Sequence, residues 1–237
     1  MDYDFYSDRG GRNVNEDSVF VFADESGICA LLADGLGGQG NGDLASQTVV
    51  RSVMDSYMRD RSVQPSAVAG YIGTANQRIR EINQGKNTTM TTIVGLFSDL
   101  AGCTVAHVGD SRLYHFADGR LVMQTVDHSV PQMAVALGEI SAEEIRFHPD
   151  RNRILRAIGA DDHVKSDVQQ LKLAPGFHAF LLCSDGLWEY VTELEMEADL
   201  AKSKTAKEWL HFMRCRRDMI APDNADNNSG ITLFLNV

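Results

Sequence analysis

Acidic residues next to turn residues recur along this chain: Glu16 and Asp17 in NVNEDSVF, Asp34 in LLADG, Asp110 in HVGDSR, Asp185 in LLCSDG and Asp226 in ADNNSGITLF. Each abuts a run of β-branched, aromatic or other apolar residues. One Asp-Gly after a strand is an ordinary turn, but the same residues at the ends of several strands can be gathered at one edge of a sheet. Two unit charges about 4 Å apart repel by about 4 kcal/mol at an effective dielectric near 20, so gathered carboxylates need a compensating cation. Hard oxygen ligands without His/Cys pairs favour magnesium, manganese or calcium over zinc, and a shared aspartate suits two ions ~3.5 to 4 Å apart. Such a site activates water and stabilises oxygens around phosphorus. Arg12 stands four residues before Glu16, but the NVN between them is poor helix, so a helical i, i+4 ion pair is disfavoured. A planar guanidinium there suits a phosphate dianion, which it can hold by two parallel hydrogen bonds.

The glycines after Asp34 offer a competing chemistry. Gly35, Gly37 and Gly40 spell GxGxxG between a strand and a helix, the setting of a dinucleotide-binding fingerprint. Asp34, however, would put negative charge where a pyrophosphate needs backbone N–H groups, and the preceding strands read as a hairpin and not as the start of a parallel βαβ unit. A turn that brings backbone close to a cation explains the glycines better.

Several elements must position these residues. SVFVFA and ICALLA, separated by DESG, predict a hairpin. In the next segment Ala45, Val49, Val53 and Tyr57 recur every four residues beside Val50, Met54 and Met58, the stripe of an amphipathic helix. A second helix starts near Pro65, carries Val68, Ile72, Ala75, Ile79 and Ile82 on one face, and ends at NQG. Four β-rich runs then follow, divided by DLAG, GDS and ADG, and predict an antiparallel meander. Short helical pieces occupy 127–159, DVQQLKL and HAFLLCS return to strand, helices cover about 193–220, and GITLFLNV closes the chain as a strand. Long helices interleaved with antiparallel strands predict sheets covered by helices, an α+β arrangement. The weakly periodic stretch 126–166 is the candidate functional loop.

Composition bounds the partners. With 237 residues, 43% hydrophobic and 23% charged, residues 1–237 are expected to form a single domain. A formal net charge of −11 argues against nucleic acid and anionic lipid as partners, since both need clustered Lys and Arg. No apolar run approaches the roughly 20 residues of a bilayer span, and the N-terminus has neither a basic start nor an apolar signal core, so a cytoplasmic protein is expected. Cys29, Cys103, Cys183 and Cys215 form no CxxC pair, and the first three sit in apolar runs, as buried reduced thiols do. His128 and His148, within the 126–166 stretch, are expected to hold structure by hydrogen bonds, and Trp188 to anchor core beside Asp185.

RNVNEDSVF, LLADGLGGQGNG, TTIVGLF, AHVGDSRLYHF, TVDHS, ALGEISAEEIRFHPDRNRILRAIG, FLLCSDGLWE and DNNSGITLFL, in this order and over nearly the whole chain, resemble the bacterial branch of the PP2C-type (PPM) metal-dependent serine/threonine phosphatases. The resemblance implies a four-layer α-β-β-α sandwich with two central antiparallel sheets and metals in a cleft at one end. It implies hydrolysis of phosphoserine and phosphothreonine by direct attack of a metal-bridging water or hydroxide, with no phosphoenzyme. By the family pattern Asp34 bridges two cations, the Gly35 carbonyl completes one shell, Asp185 and Asp226 ligate the other ion, and Glu16 and Asp17 bind the second directly or through water. Asp110 matches the ligand of a third, weaker ion, and Arg12 the arginine that binds substrate phosphate. Asp226 is preferred over Asp223 because DNNSGITLF keeps the family spacing to the last strand. The resemblance therefore expects two to three Mn2+ or Mg2+ ions, catalytic roles for Asp34, Asp185 and Arg12, and a monomer acting on phosphorylated Ser/Thr proteins made by a bacterial-type kinase. Many eukaryotic members carry a histidine where this chain has Leu36, which leaves the proton donor open. The alternatives are a catalytically weak partner-binding relative and a metal-dependent phosphodiesterase.

Overall fold

A computed structural model describes residues 1–36, 40–86, 89–99 and 102–237; Gly37 of the GxGxxG stretch and Leu100 and Ala101 of the DLAG turn lie outside the described residues. The expected hairpin forms as β2 (Asp17–Asp24) and β3 (Gly27–Asp34), with Asp17 opposite Asp34. A further strand precedes it: β1 (Asp2–Asp8) carries three aspartates, a residue depleted in strands, and buries only Tyr6 while its alternating Tyr3 and Phe5 are exposed. The remaining strands are β4 (Ile93–Asp99), β5 (Cys103–Val108), β6 (Arg112–Ala117), β7 (Arg120–Gln124), β8 (Asp167–Leu171), β9 (Phe177–Cys183) and β10 (Asn228–Asn236). They build two five-stranded antiparallel sheets, ordered β1-β10-β9-β6-β7 and β2-β3-β4-β5-β8.

Alternation along the central strands explains the layers. In β3, Ile28, Ala30 and Leu32 face the other sheet, where they meet Phe180, Leu182, Ile231 and Leu233. Cys29, Leu31 and Ala33 point the opposite way, against helices α1 (Gly42–Asp60) and α2 (Pro65–Asn83). β9 does the same in the other sheet: Ala179, Leu181 and Cys183 pack with Trp209, Leu210 and Met213 of α6 (Ala206–Ile220), beside α5 (Glu193–Lys202). Strands buried on both faces read as unbroken apolar runs, and the result is an α-β-β-α sandwich. Cys29, Cys103 and Cys183 are buried free thiols and Cys215 is exposed. The helical stripes hold except at their ends, where Met58 and Ile82 turn out to solvent.

The four β-rich runs after residue 90 do not form one meander. β4 pairs with β5 and β6 with β7, but β5 and β6 lie in different sheets, so Gly109–Ser111 is a crossover between sheets and not a hairpin turn. Apolar runs buried on both faces look alike whichever sheet receives them, which is why the sequence pattern misses the break. Gly109 has φ +107°, and a Cβ there would lie 2.6 Å from Thr92 Cγ2, so the crossover demands glycine. Segment 127–166 contains α3 (Val130–Ala136) and a 3-10 helix (Ala142–Phe147). Of the acidic residues, Asp34 ends β3, Asp110 follows β5, Asp185 follows β9, and Glu16–Asp17 and Asp226 precede or open β2 and β10. Antiparallel order brings these strand ends to one end of the sandwich.

Candidate active site

A cleft of about 640 Å3 at that end is lined by Arg12, Glu16, Asp34, Gly35, Asp110, Asp185 and Asp226, together with Val14, Leu36, Met90, Asn152, Ile154 and Asn227. Asp17 is the one expected site residue not among the lining groups. It is buried, its Oδ2 accepts from Ser184 Oγ (2.8 Å), and its Oδ1 has no hydrogen-bond partner. Asp223, the rejected alternative to Asp226, does not line the cleft. A larger groove of about 1010 Å3 opens at the opposite end, beside the β2–β3 turn, where Asp24 is paired with Arg61 (3.2 Å).

The backbone around the carboxylates is held while the side chains stay free. Asp34 N–H donates to Thr92 Oγ1 (2.9 Å), and its carbonyl accepts from Thr91 Oγ1 (2.7 Å) and Thr92 N–H (2.8 Å). Gly35 N–H donates to Glu16 O (3.1 Å), and a Cβ on Gly35 would fall 2.1 Å from Gly42 O, so this close approach of turn and helix excludes any side chain. Trp188 Nε1–H, on the helical turn α4 (Asp185–Trp188), donates to Asp110 O (3.0 Å). Trp188 is therefore more than core filling: it joins the Asp185 turn to the Asp110 crossover. Asn227 was missed because nothing in sequence links it to a segment some 200 residues away. Its Nδ2 donates to Arg9 O and Val14 O, and its Oδ1 accepts from Glu16 N–H, so it fixes the loop that carries Arg12 and Glu16.

The electrostatics are uncompensated. Among the described residues, ion pairs near the cleft join Arg12 to Asp226 (2.7 Å), Arg112 to Asp127 (2.7 Å) and Arg151 to Glu189 (2.8 Å), and none reaches Asp17, Asp34, Asp110 or Asp185. Burial, then repulsion from Asp17, Asp185 and Asp110, pushes Asp34 well above the usual carboxylate range. Burial followed by Asp110 and Glu189 does the same to Asp185. Burial raises Asp17 to about 6 and, with Asp127, Asp110 to about 7. Buried anions with no internal counter-ion, one with an orphaned oxygen, fit hard divalent cations, and the all-oxygen donor set selects magnesium or manganese type ions over zinc.

A second group, His107, His128 and Asp167, is close enough to suggest a metal. The two rings are stacked with centroids 4.6 Å apart and 9° between planes, so their in-plane lone pairs run parallel and do not converge on one ion. Hydrogen bonds account for the group. His107 Nε2 donates to Val126 O, and His128 Nδ1 accepts from Gly109 N–H, while its Nε2 lies between Arg156 Nη1 (3.0 Å) and Asp167 (3.2 Å), which Arg156 also contacts. His128 thus has the structural role expected of it, and His148 likewise accepts from Asp150 N–H through Nδ1 (3.1 Å).

Residues 6–219 match the family model described as protein phosphatase 2C. The serine/threonine phosphatase stp of Listeria welshimeri is 35% identical over 217 residues, covering 86% of this chain and 84% of that one. The structure of serine/threonine phosphatase Stp1 from Staphylococcus aureus superposes with a TM-score of 0.88 at 28% identity, covering 100% of this chain and 96% of that one. The catalytic domain of the phosphatase PstP, solved with two manganese ions, shares the fold at 24% identity (TM-score 0.79; 99% and 98% covered). A two-sheet sandwich with its carboxylates at one end, matched over most of its length by this model and these relatives, places the chain in the protein phosphatase 2C family.

Proposed function

We propose that this chain, acting as one catalytic domain over residues 1–237, is a metal-dependent protein phosphatase that hydrolyses phosphoserine and phosphothreonine. The observation that carries the reading is the cleft in which Asp34, Asp110 and Asp185 lie without counter-ions beside the Arg12 guanidinium. Asp34 would be shared between two Mn2+ or Mg2+ ions with the Gly35 carbonyl beside it. Asp185 and Asp226 would hold one ion, Glu16 and Asp17 would serve the other directly or through water, and Asp110 would hold a third. Bound there, divalent cations lower the pKa of water and neutralise charge on phosphoryl oxygens.

The chain's own groups supply the rest. Arg12 orients the phosphate by paired N–H donors. The buried carboxylates fix geometry at the ends of five rigid strands, so little reorganisation is needed when charge develops. No thiol offers a covalent route: Cys29, Cys103 and Cys183 are buried, with burial raising each thiol far from the reactive range, and the exposed Cys215 does not line the cleft. Leu36 and the other apolar lining groups donate no proton, and no histidine is among the described lining residues, which leaves a water or a lining carboxyl group to protonate the leaving alkoxide.

The substrates are phosphorylated Ser/Thr proteins, products of the protein kinase class, and the monomer suffices for the site. No described helix is long and apolar enough to cross a membrane. The test is turnover of a phosphothreonine peptide with manganese, with magnesium and with excess chelator. Activity should disappear with chelator and return with either ion; full turnover in chelator would sink the proposal.

A further inference from the structure

Two side-chain amides line the cleft, and they differ in kind. Asn227 is fully engaged by Arg9, Val14 and Glu16. Asn152 is exposed and makes no hydrogen bond to any described residue, although the segment that carries it is tied down on both sides. Before it, Arg151 N–H donates to His148 O (3.1 Å) and Arg151 Nε to Glu189 Oε1 (2.8 Å). After it, Arg153 N–H donates to Asp150 O (2.9 Å), Val130 N–H donates to Arg153 O (2.9 Å), and Ile154 bridges Ser129. A short turn held this firmly presents one amide to the cleft with its donors and acceptor free.

We propose that Asn152 binds the main chain of the substrate protein beside the phosphorylated residue. This assignment rests on the phosphatase reading above. The chemistry of the amide selects the partner. A phosphate dianion has only acceptors and would leave the Asn152 carbonyl unmatched, and the cleft already offers phosphate the Arg12 fork. A peptide unit carries one donor and one acceptor side by side, as a side-chain amide does, so the two can pair reciprocally. Position agrees. The carboxylates Asp34, Asp110 and Asp185 are half-buried or buried at the strand ends, whereas Asn152 is exposed on the 127–166 segment outside the sandwich. It therefore meets the part of the substrate that projects from the cleft. Val14 and Ile154 are apolar and Asn227 is already engaged, so among the described lining residues Asn152 is the neutral polar side chain left to meet the peptide's own amides. Asn152 thus distinguishes a phosphoprotein from a small phosphate ester, which has no peptide unit to offer.

The test compares Asn152→Ala with the parent on a phosphothreonine peptide and on p-nitrophenyl phosphate, each with manganese. Loss of a pair of neutral hydrogen bonds should raise KM for the peptide by about tenfold with kcat within about twofold, while both constants for the aryl phosphate stay level. Asn152→Ser, which retains one donor and acceptor on a shorter arm, should fall between, and it carries the test if Asn152→Ala does not fold. Equal KM increases on both substrates would place the amide on the phosphate and overturn the proposal, as would unchanged constants on both. A parent that hydrolyses aryl phosphate but no phosphopeptide would overturn this assignment while sparing phosphomonoester chemistry; a parent inactive on both would remove the phosphatase reading and this assignment with it.

Discussion

Two buried charge clusters sit within a few residues of each other and behave oppositely. Arg112 and Asp127 form a bidentate pair (2.8 and 2.7 Å) with both side chains about 3% exposed or less, and Arg112 stacks on Trp188 at 3.6 Å. Two residues upstream of Arg112, Asp110 joins Asp17, Asp34 and Asp185 in a mutually repelling cluster that has no ion pair among the described residues. A closed pair is complete and structural, although a hydrophobic replacement of both partners could serve stability as well. An open cluster of one sign is a standing cost to the metal-free fold and is explained by what it binds. Neighbouring carboxylates at the end of one sandwich are thus divided into scaffold and site by whether the protein itself supplies the opposite charge.

The comparison can be broken most severely at the open cluster. Asp34→Asn and Asp185→Asn should each lower kcat on a phosphopeptide by roughly 10^3-fold or more, by removing charge from the cation site. In chelator the same variants should melt no lower than the parent, because a repulsion has been removed; a lower melting temperature would class them as scaffold. At the closed pair the pattern should invert. Arg112→Met leaves Asp127 buried and unpaired and should cost about 3–5 kcal/mol in urea denaturation, with a smaller loss of kcat than either aspartate variant.

Arg12 lies between the two cases, since it is paired with Asp226 at 2.7 Å yet lines the cleft with a half-exposed side chain. Arg12→Ala should raise KM for a phosphopeptide by about tenfold or more, and it should tighten manganese binding in calorimetry, because Asp226 no longer has an internal partner. Level KM and unchanged metal affinity together would make the pair purely structural.

The smallest effect is in pH. Asp17 near 6 and Asp110 near 7 lie above their ordinary range when folded, so the metal-free protein retains protons there that the unfolded chain releases. Their contribution is present in full below about pH 4 and is lost as pH rises through about 6 to 7. In chelator the melting temperature should therefore fall by a few degrees between about pH 5 and 8, and manganese should cancel the fall by taking the place of the protons. A melting temperature that rose over this interval in chelator would contradict an open cluster.

Much of the site is local in sequence and was legible there. Asp34, Asp110, Asp185 and Asp226 each stand where an apolar run meets a turn, and the helical stripe of Ala45, Val49, Val53 and Tyr57 is buried as its period requires. What the sequence alone determined was element type, because backbone propensity and side-chain period act over a few residues. Which sheet each strand joins was decided by tertiary packing. β5 and β6 have equally apolar faces, and only contacts with distant strands send one to β4 and the other to β9 across the Gly109–Ser111 crossover. The edge strand β1 was hidden because its aspartates disfavour a strand locally and its pairing is supplied by the distant β10. Tertiary structure also decided which groups end up partnered: Asn227 engaged by a loop far away in sequence, Asn152 left free, Asp127 paired with Arg112 and Asp110 without an ion pair among the described residues. Hydrogen bonding and charge compensation depend on distance in space, and residue spacing along the chain carries no record of it.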